Sequence, residues 1–193
     1  MIDVFNTATT SFYKSCKQGE LAGVMLAHYL ANSDFGKNRA VSMCGFSLGG
    51  LVTYNTMKTL KRIADILKPA ASSILHDVTT WAAAYIVNQS GDYNEWKEKA
   101  QDYTVCNGIW HSCWSKNDKS MVGMKTAMYP GKIPVGYAPI FEKDTDTAIE
   151  EEDYDTCKIP INIDCTQVCK EGDGHYCYST SFATFHYWMK DFY

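Results

Sequence analysis

No stretch of this chain approaches the roughly 18 consecutive apolar residues that a membrane-crossing helix needs. Met1-Ile2-Asp3-Val4-Phe5 has neither the basic opening nor the apolar core of a signal peptide. The expectation is a chain without a transmembrane segment in an intracellular setting, with any organelle or membrane association supplied by a partner. A clustered basic patch is missing as well: 18 Lys and Arg stand against 22 Asp and Glu, for a net charge of −4. Without cations interleaved with aromatics, nucleic acid is not an expected partner. Internal repeats and low-complexity tracts are absent, and 193 residues with 46% hydrophobic and 21% charged side chains suit one domain over residues 1–193.

Close cysteine pairs are scarce too. The eight cysteines, at 16, 44, 106, 113, 157, 165, 169 and 177, are spread through expected strands, helices and loops, and only Cys165 and Cys169 approach the spacing of a zinc knuckle. Scattered cysteines predict free thiols in a reducing compartment. The glycosylation sequon Asn88-Gln89-Ser90 would need a secretory route that the sequence does not otherwise indicate.

What is present centres on Gly45-Phe46-Ser47-Leu48-Gly49. The apolar run Val41 to Cys44 precedes it, and a helical pattern through Thr53, Met57, Leu60, Ala64 and Leu67 follows. A strand that turns straight into a helix around a serine is a nucleophile elbow. Gly45 and Gly49 would remove Cβ atoms from the tight turn, leaving the Ser47 hydroxyl exposed. The Leu48 N–H, at the helix start, would point at the oxygen of a tetrahedral intermediate as one oxyanion donor.

Around this centre the pattern alternates. A helix is expected from about Ser11 to Leu30, weakened at Gly19, followed by a strand over 40–44 and the elbow helix. Lys68-Pro69 ends that helix, and residues 72–78 read as the next strand. Helices are expected over 92–100 and about 179–192, strands over 103–115 and 158–164, with Pro160 marking a sheet edge. Residues 131–139 form a loop, and 142–155 an acidic surface segment. Alternating strands and helices predict an α/β fold, mainly a parallel sheet flanked by helices.

A serine hydroxyl needs a base, and the base an acid to orient it. Asp118 lies in the polar cluster Ser115-Lys116-Asn117-Asp118-Lys119 after a strand, where open α/β sheets build their sites. His175 lies between glycines in Gly172-Asp173-Gly174-His175-Tyr176, with little packing reason to be a histidine. Ser47, Asp118 and His175 therefore follow the chain order of α/β-hydrolase triads. Competing readings exist for each partner. Asp118 could cap the next helix, and Asp77 is the rival acid. His175 could join Cys157, Cys165, Cys169 and Cys177 around zinc, which would deny Ser47 its base. The poor spacing disfavours this, and no metal or cofactor is expected. His28, His76, His111 and His186 fall in helices or strands and read as packing or surface residues. Trp110, Trp114, Tyr187 and Trp188 read as core.

Taken together, Gly45 to Gly49, Ser115-Lys116-Asn117-Asp118, Pro134-Val135-Gly136-Tyr137-Ala138-Pro139-Ile140 and Gly174-His175-Tyr176 resemble the α/β-hydrolase domain of the transmembrane and coiled-coil domain-containing protein 4-like family, over about residues 15 to 190. The resemblance implies Ser47 as nucleophile, Asp118 as acid and His175 as base, with ester or lipid-like substrates. It also exposes a departure. Such hydrolases place several strands before the elbow, and one of those loops supplies the second oxyanion N–H. Here only about 40 residues precede it. The expectation is a partial α/β-hydrolase fold lacking the usual N-terminal strands: the C-terminal part of a longer product, a chain completed by another, or a reduced fold without activity. An esterase or lipase-type serine hydrolase and an inactive, structural subunit of an assembly both follow from this. In either case a protein partner is expected along the elbow strand, whose outer edge should be unpaired and apolar.

Overall fold

The computed structural model describes residues 2–37, 39–86, 106–127, 132–140, 160–169 and 174–180. The expected helix 92–100 and acidic segment 142–155 lie outside them, as do Cys157 and most of the expected last helix. The order of elements is α1 (Ile2–Asn32), α2 (Asp34–Lys37), β1 (Val41–Phe46), α3 (Leu48–Ile66), a 3₁₀ turn (Pro69–Ser73), β2 (Leu75–Trp81), β3 (Trp110–Trp114), α4 (Lys119–Ala127), β4 (Ile161–Asp164) and α5 (Cys177–Thr180).

The four strands form one parallel sheet in the order β1-β2-β3-β4. An α/β fold is thus present. β1 pairs with β2 alone, so among the described residues the elbow strand is the sheet's edge. β4 is the opposite edge, in keeping with Pro160 just before it: proline cannot donate to a ladder on its outer side.

α1 starts earlier than its amphipathic pattern suggests and runs unbroken through Gly19 and Gly23. These glycines cost helix propensity, up to about 1 kcal/mol each relative to alanine. Packing explains Gly23. A Cβ on Gly23 would lie 2.5 Å from the Val52 carbonyl oxygen of α3, whereas one on Gly19 would make only ordinary contact, 3.4 Å from Leu51 Cδ2. With Ala27 they form a groove that admits the α3 backbone, and the Thr56 hydroxyl donates to Gly23 O at 3.2 Å across it. A clash with backbone cannot be relieved by a rotamer change, so glycine wins over propensity at Gly23.

The face of α3 turned to α1 and the sheet buries Leu51, Tyr54, Met57, Leu60, Ile63 and Ala64. Beneath it lie Leu75, Val78 and Trp110 of the sheet. Met57 and Leu60 are completely buried, and truncating either to alanine would cost about 2–5 kcal/mol. Lys68 Nζ donates to Ala31 O at 3.4 Å, a cation at the carbonyl end of α1, where it opposes the helix dipole.

Two expected strands are shorter than their patterns. Residues 72 and 73 belong to the 3₁₀ turn that Pro69 opens. Residues 106–109 lead into β3 without extending it, because Asp77 accepts the Ile109 N–H at 2.9 Å and so diverts it from a strand ladder. Beyond β2, Ala82 adopts φ 46° and turns the chain away from the sheet. Residues 83–85 are then buried and fastened to the loop at 132–140, with Gly136 N–H donating to Ala83 O at 3.0 Å and Val135 N–H to Tyr85 O at 3.0 Å.

Candidate active site

Ser47 stands where β1 ends and α3 begins, with φ 54° and ψ −117°. Positive φ at a non-glycine residue costs energy and persists only when the surroundings hold it. They do so through its backbone: Ser47 N–H donates to Trp81 O at 2.9 Å, and Ser47 O accepts from Ala84 N–H at 3.0 Å. β2 and the segment after it therefore hold the serine in this conformation.

The two motif glycines are not equivalent. A Cβ on Gly45 would lie 2.6 Å from both Gly49 O and Thr53 Oγ1, as the turn requires. A Cβ on Gly49 would meet nothing within 4 Å, whereas one on Gly50 would lie 2.6 Å from Ala83 Cβ. The expectation that Gly49 relieves crowding is therefore corrected. Within the protein, the second close approach falls one residue later.

Asp118 and His175 converge on Ser47 from the ends of β3 and β4, at the carboxyl edge of the sheet. His175 Nε2 lies 3.0 Å from Ser47 Oγ, and His175 Nδ1 lies 2.8 Å from Asp118 Oδ2. Asp118 is fully buried, while the His175 side chain keeps 12% of its surface exposed. The other carboxylate oxygen, Oδ1, accepts the Met121 N–H at 3.0 Å. So the choice between acid and helix cap does not arise: one oxygen caps α4 and the other meets the imidazole. With Nδ1–H donating to the carboxylate, the lone pair of Nε2 faces the serine hydroxyl. The arrangement can take a proton from Ser47 and stabilise the imidazolium that results.

Aromatic packing orients the imidazole further. The Phe46 ring lies 4.9 Å from it at an interplanar angle of 37°, and Tyr176 meets it edge-on at 5.5 Å. Phe46 occupies the variable position of the elbow motif, so nothing in the pattern marked it. Leu48 opens α3, and its N–H is one of the first-turn donors with no intrahelical acceptor.

Asp77 belongs elsewhere. It lies near the amino end of β2, about 13 Å of strand from Trp81, whose carbonyl holds Ser47. It accepts from Ser42 Oγ at 3.3 Å and from Ile109 N–H at 2.9 Å, and lies 2.9 Å from His76 Nδ1. Partial burial raises its pKa, but these hydrogen bonds outweigh that and leave it below the usual carboxylate range. It ties the amino edge of the sheet together.

The cysteines depart from expectation. Cys169 and Cys177 form a disulfide, with Cα atoms 5.3 Å apart, that closes the loop carrying His175. Cys16, Cys44, Cys106, Cys113 and Cys165 are free thiols as expected. Sequence spacing could not reveal this pair, because the approach of β4 to α5 is a tertiary event. The disulfide also dismantles the zinc alternative. Two of its thiolates are oxidised, and both His175 nitrogens are engaged with Asp118 and Ser47. Cys113 lies beside Cys165 under this loop; hydrogen bonding to that thiol, followed by burial, pushes its pKa well up. It is an inert core thiol.

The fold is a parallel α/β sheet whose carboxyl edge gathers a serine, a histidine and an aspartate. The chain matches no protein-family model, no curated protein and no solved structure. Among the described residues, no helix is long and apolar enough to cross a membrane.

Proposed function

We propose that this chain carries the site of a serine hydrolase of the esterase or lipase type, built on the C-terminal part of an α/β-hydrolase fold. One observation carries the reading: the unbroken hydrogen-bonded chain from Asp118 through His175 to Ser47, on a serine in a strained strand-to-helix turn. The resemblance of the elbow, acid and base segments to the transmembrane and coiled-coil domain-containing protein 4-like family supports it and suggests an ester or lipid-like substrate.

In this reaction Ser47 Oγ attacks the ester carbonyl carbon as its proton passes to His175 Nε2. The carbonyl oxygen becomes an oxyanion facing the Leu48 N–H. Collapse of the intermediate breaks the bond to the alcohol oxygen, which leaves with the proton from His175. Water then attacks the acyl-serine, giving a proton to His175, and the bond from the acyl carbon to Ser47 Oγ breaks as that proton returns to Oγ, releasing the acid and restoring both residues. Asp118 stays ionised throughout and holds the imidazole tautomer. No metal or organic cofactor enters these steps.

Native labelling with a fluorophosphonate probe tests the proposal. A covalent adduct is expected on wild type and none on Ser47→Ala. Ester turnover should fall by several orders of magnitude in Ser47→Ala and His175→Ala and stay near wild type in Asp77→Ala. Asp118→Asn leaves an oxygen to cap α4 while removing the anion, so it should lose turnover with little loss of stability. Absence of a Ser47-dependent adduct would sink the hydrolase reading.

A second reading, a non-catalytic subunit of an assembly, is favoured by a separate observation. Among the described residues β1 has an unpaired edge, and α1 exposes Leu21, Met25 and Tyr29 along one stripe. A protein partner along that side would cover both and could contribute the second oxyanion N–H.

A further inference from the structure

One side chain outside the triad fastens the turn that delivers Asp118 to the segment that delivers His175. Asn117 lies between β3 and α4, its backbone N–H held by Ser115 Oγ at 3.1 Å. Its amide nitrogen reaches across to the turn after β4 and donates to Thr166 O at 3.0 Å and Cys169 O at 2.6 Å. Both amide hydrogens are used. Cys169 is one foot of the disulfide-closed loop that contains His175.

Asn117 also meets the loop where it arrives at the base. A Cβ on Gly174, the residue before His175, would lie 1.9 Å from the Asn117 carbonyl oxygen. Asn117 thus contacts the loop at its departure and beside the base, and its own neighbour in sequence is the acid. The disulfide limits how far the loop can open but does not set where it sits over Asp118. A surface turn could satisfy an asparagine with water; here both donors are committed to the base-bearing segment.

We propose that Asn117 is a positioning residue that sets the distance between Asp118 and His175. The inference rests on the triad reading above and adds to it a residue that touches no reacting atom. Its chemistry is specific, since two donors on a short planar arm must meet two carbonyls. Aspartate has the same shape but only acceptors, so Asn117→Asp turns two attractions into repulsions, and Asn117→Ala removes both.

The test compares wild type, Asn117→Asp and Asn117→Ala, each with the disulfide intact. Three things are measured: fluorophosphonate labelling at Ser47 with hydrolysis of a short-chain p-nitrophenyl ester, the low-temperature proton NMR signal of the imidazole N–H shared with Asp118, and thermal melting. We expect labelling and kcat to fall about 10- to 100-fold with KM near wild type. The imidazole signal should be lost or broadened while melting stays cooperative. If wild type shows the signal but neither labels nor turns over, and Asn117→Asp loses the signal, the hydrolase reading fails and the positioning role stands. Wild-type labelling and an intact signal in both variants would overturn it. So would absence of the signal from wild type, or failure of both variants to fold, which would make Asn117 a folding determinant instead.

Discussion

At the scale of single residues, the side chains that do more than one thing sit at junctions between elements. Asp118 is the clearest case, with one oxygen on α4 and one on His175. His111 shows the contrary arrangement, a titratable group with no part in the site. It is fully buried in β3; burial lowers its pKa, against a smaller opposing pull from Asp77. The sign of the linkage follows. An unfolded histidine takes up a proton as pH falls below roughly 6.5, while the folded His111 resists. Its contribution to stability is therefore intact above that pH and is lost on acidification, at up to about 1.4 kcal/mol per pH unit, until the folded imidazole itself protonates. The melting temperature of wild type should fall between pH 7 and pH 5 by more than that of His111→Leu. Parallel profiles for the two proteins would show that His111 is not the group responsible.

At the scale of elements, the strand-to-helix turn is where pattern and packing disagree most usefully. The pentapeptide marks Gly45 and Gly49 equally, yet only Gly45 is crowded, and the crowding expected at Gly49 falls on Gly50 against Ala83. Gly49→Ala should leave the melting temperature unchanged or raise it, since alanine in a helix is worth up to about 1 kcal/mol over glycine. Gly50→Ala must displace the segment at residues 83–85, which helps hold the strained Ser47, and overpacking of this kind costs about 1–3 kcal/mol. Thermal melts of the two variants, read beside Ser47 labelling, separate the cases; equal destabilisation would mean the turn relaxes differently from this account. A motif records which residues recur, whereas the neighbour that makes a glycine necessary comes from another part of the chain.

At the scale of the whole molecule, the feature that bears on association is the side of the sheet that carries β1. The sheet edge at β1 is free among the described residues, but its exposed side chains are Ser42 and Cys44; Val41 and Met43 pack toward α1 and α3. The exposed apolar surface expected on the edge strand lies instead on α1, where Leu21 is 59%, Met25 64% and Tyr29 60% exposed. Contiguous apolar surface of this sort marks an interaction site or an aggregation liability. The purified chain should therefore associate, and Met25→Glu with Tyr29→Lys should weaken that association without lowering the melting temperature. Sedimentation velocity across a concentration series decides it. A wild-type chain that stays monomeric would remove the case for a partner on this side.

Local pattern was enough to place the strand, elbow and helix around Ser47, because a short apolar run that gives way to helical periodicity across a glycine-bounded serine is written in consecutive residues. The chain order of Ser47, Asp118 and His175 was legible for the same reason: each follows a strand, and parallel strands deliver their carboxyl ends to one edge. Tertiary structure alone decided the rest. The close approach of α1 to α3 depends on Gly23 lying against the α3 backbone, the Cys169–Cys177 bond on two segments meeting after β4, and the hold of Asn117 on the base loop on the register between β3 and β4. Each of these joins residues whose separation along the chain carries no information about their distance in space.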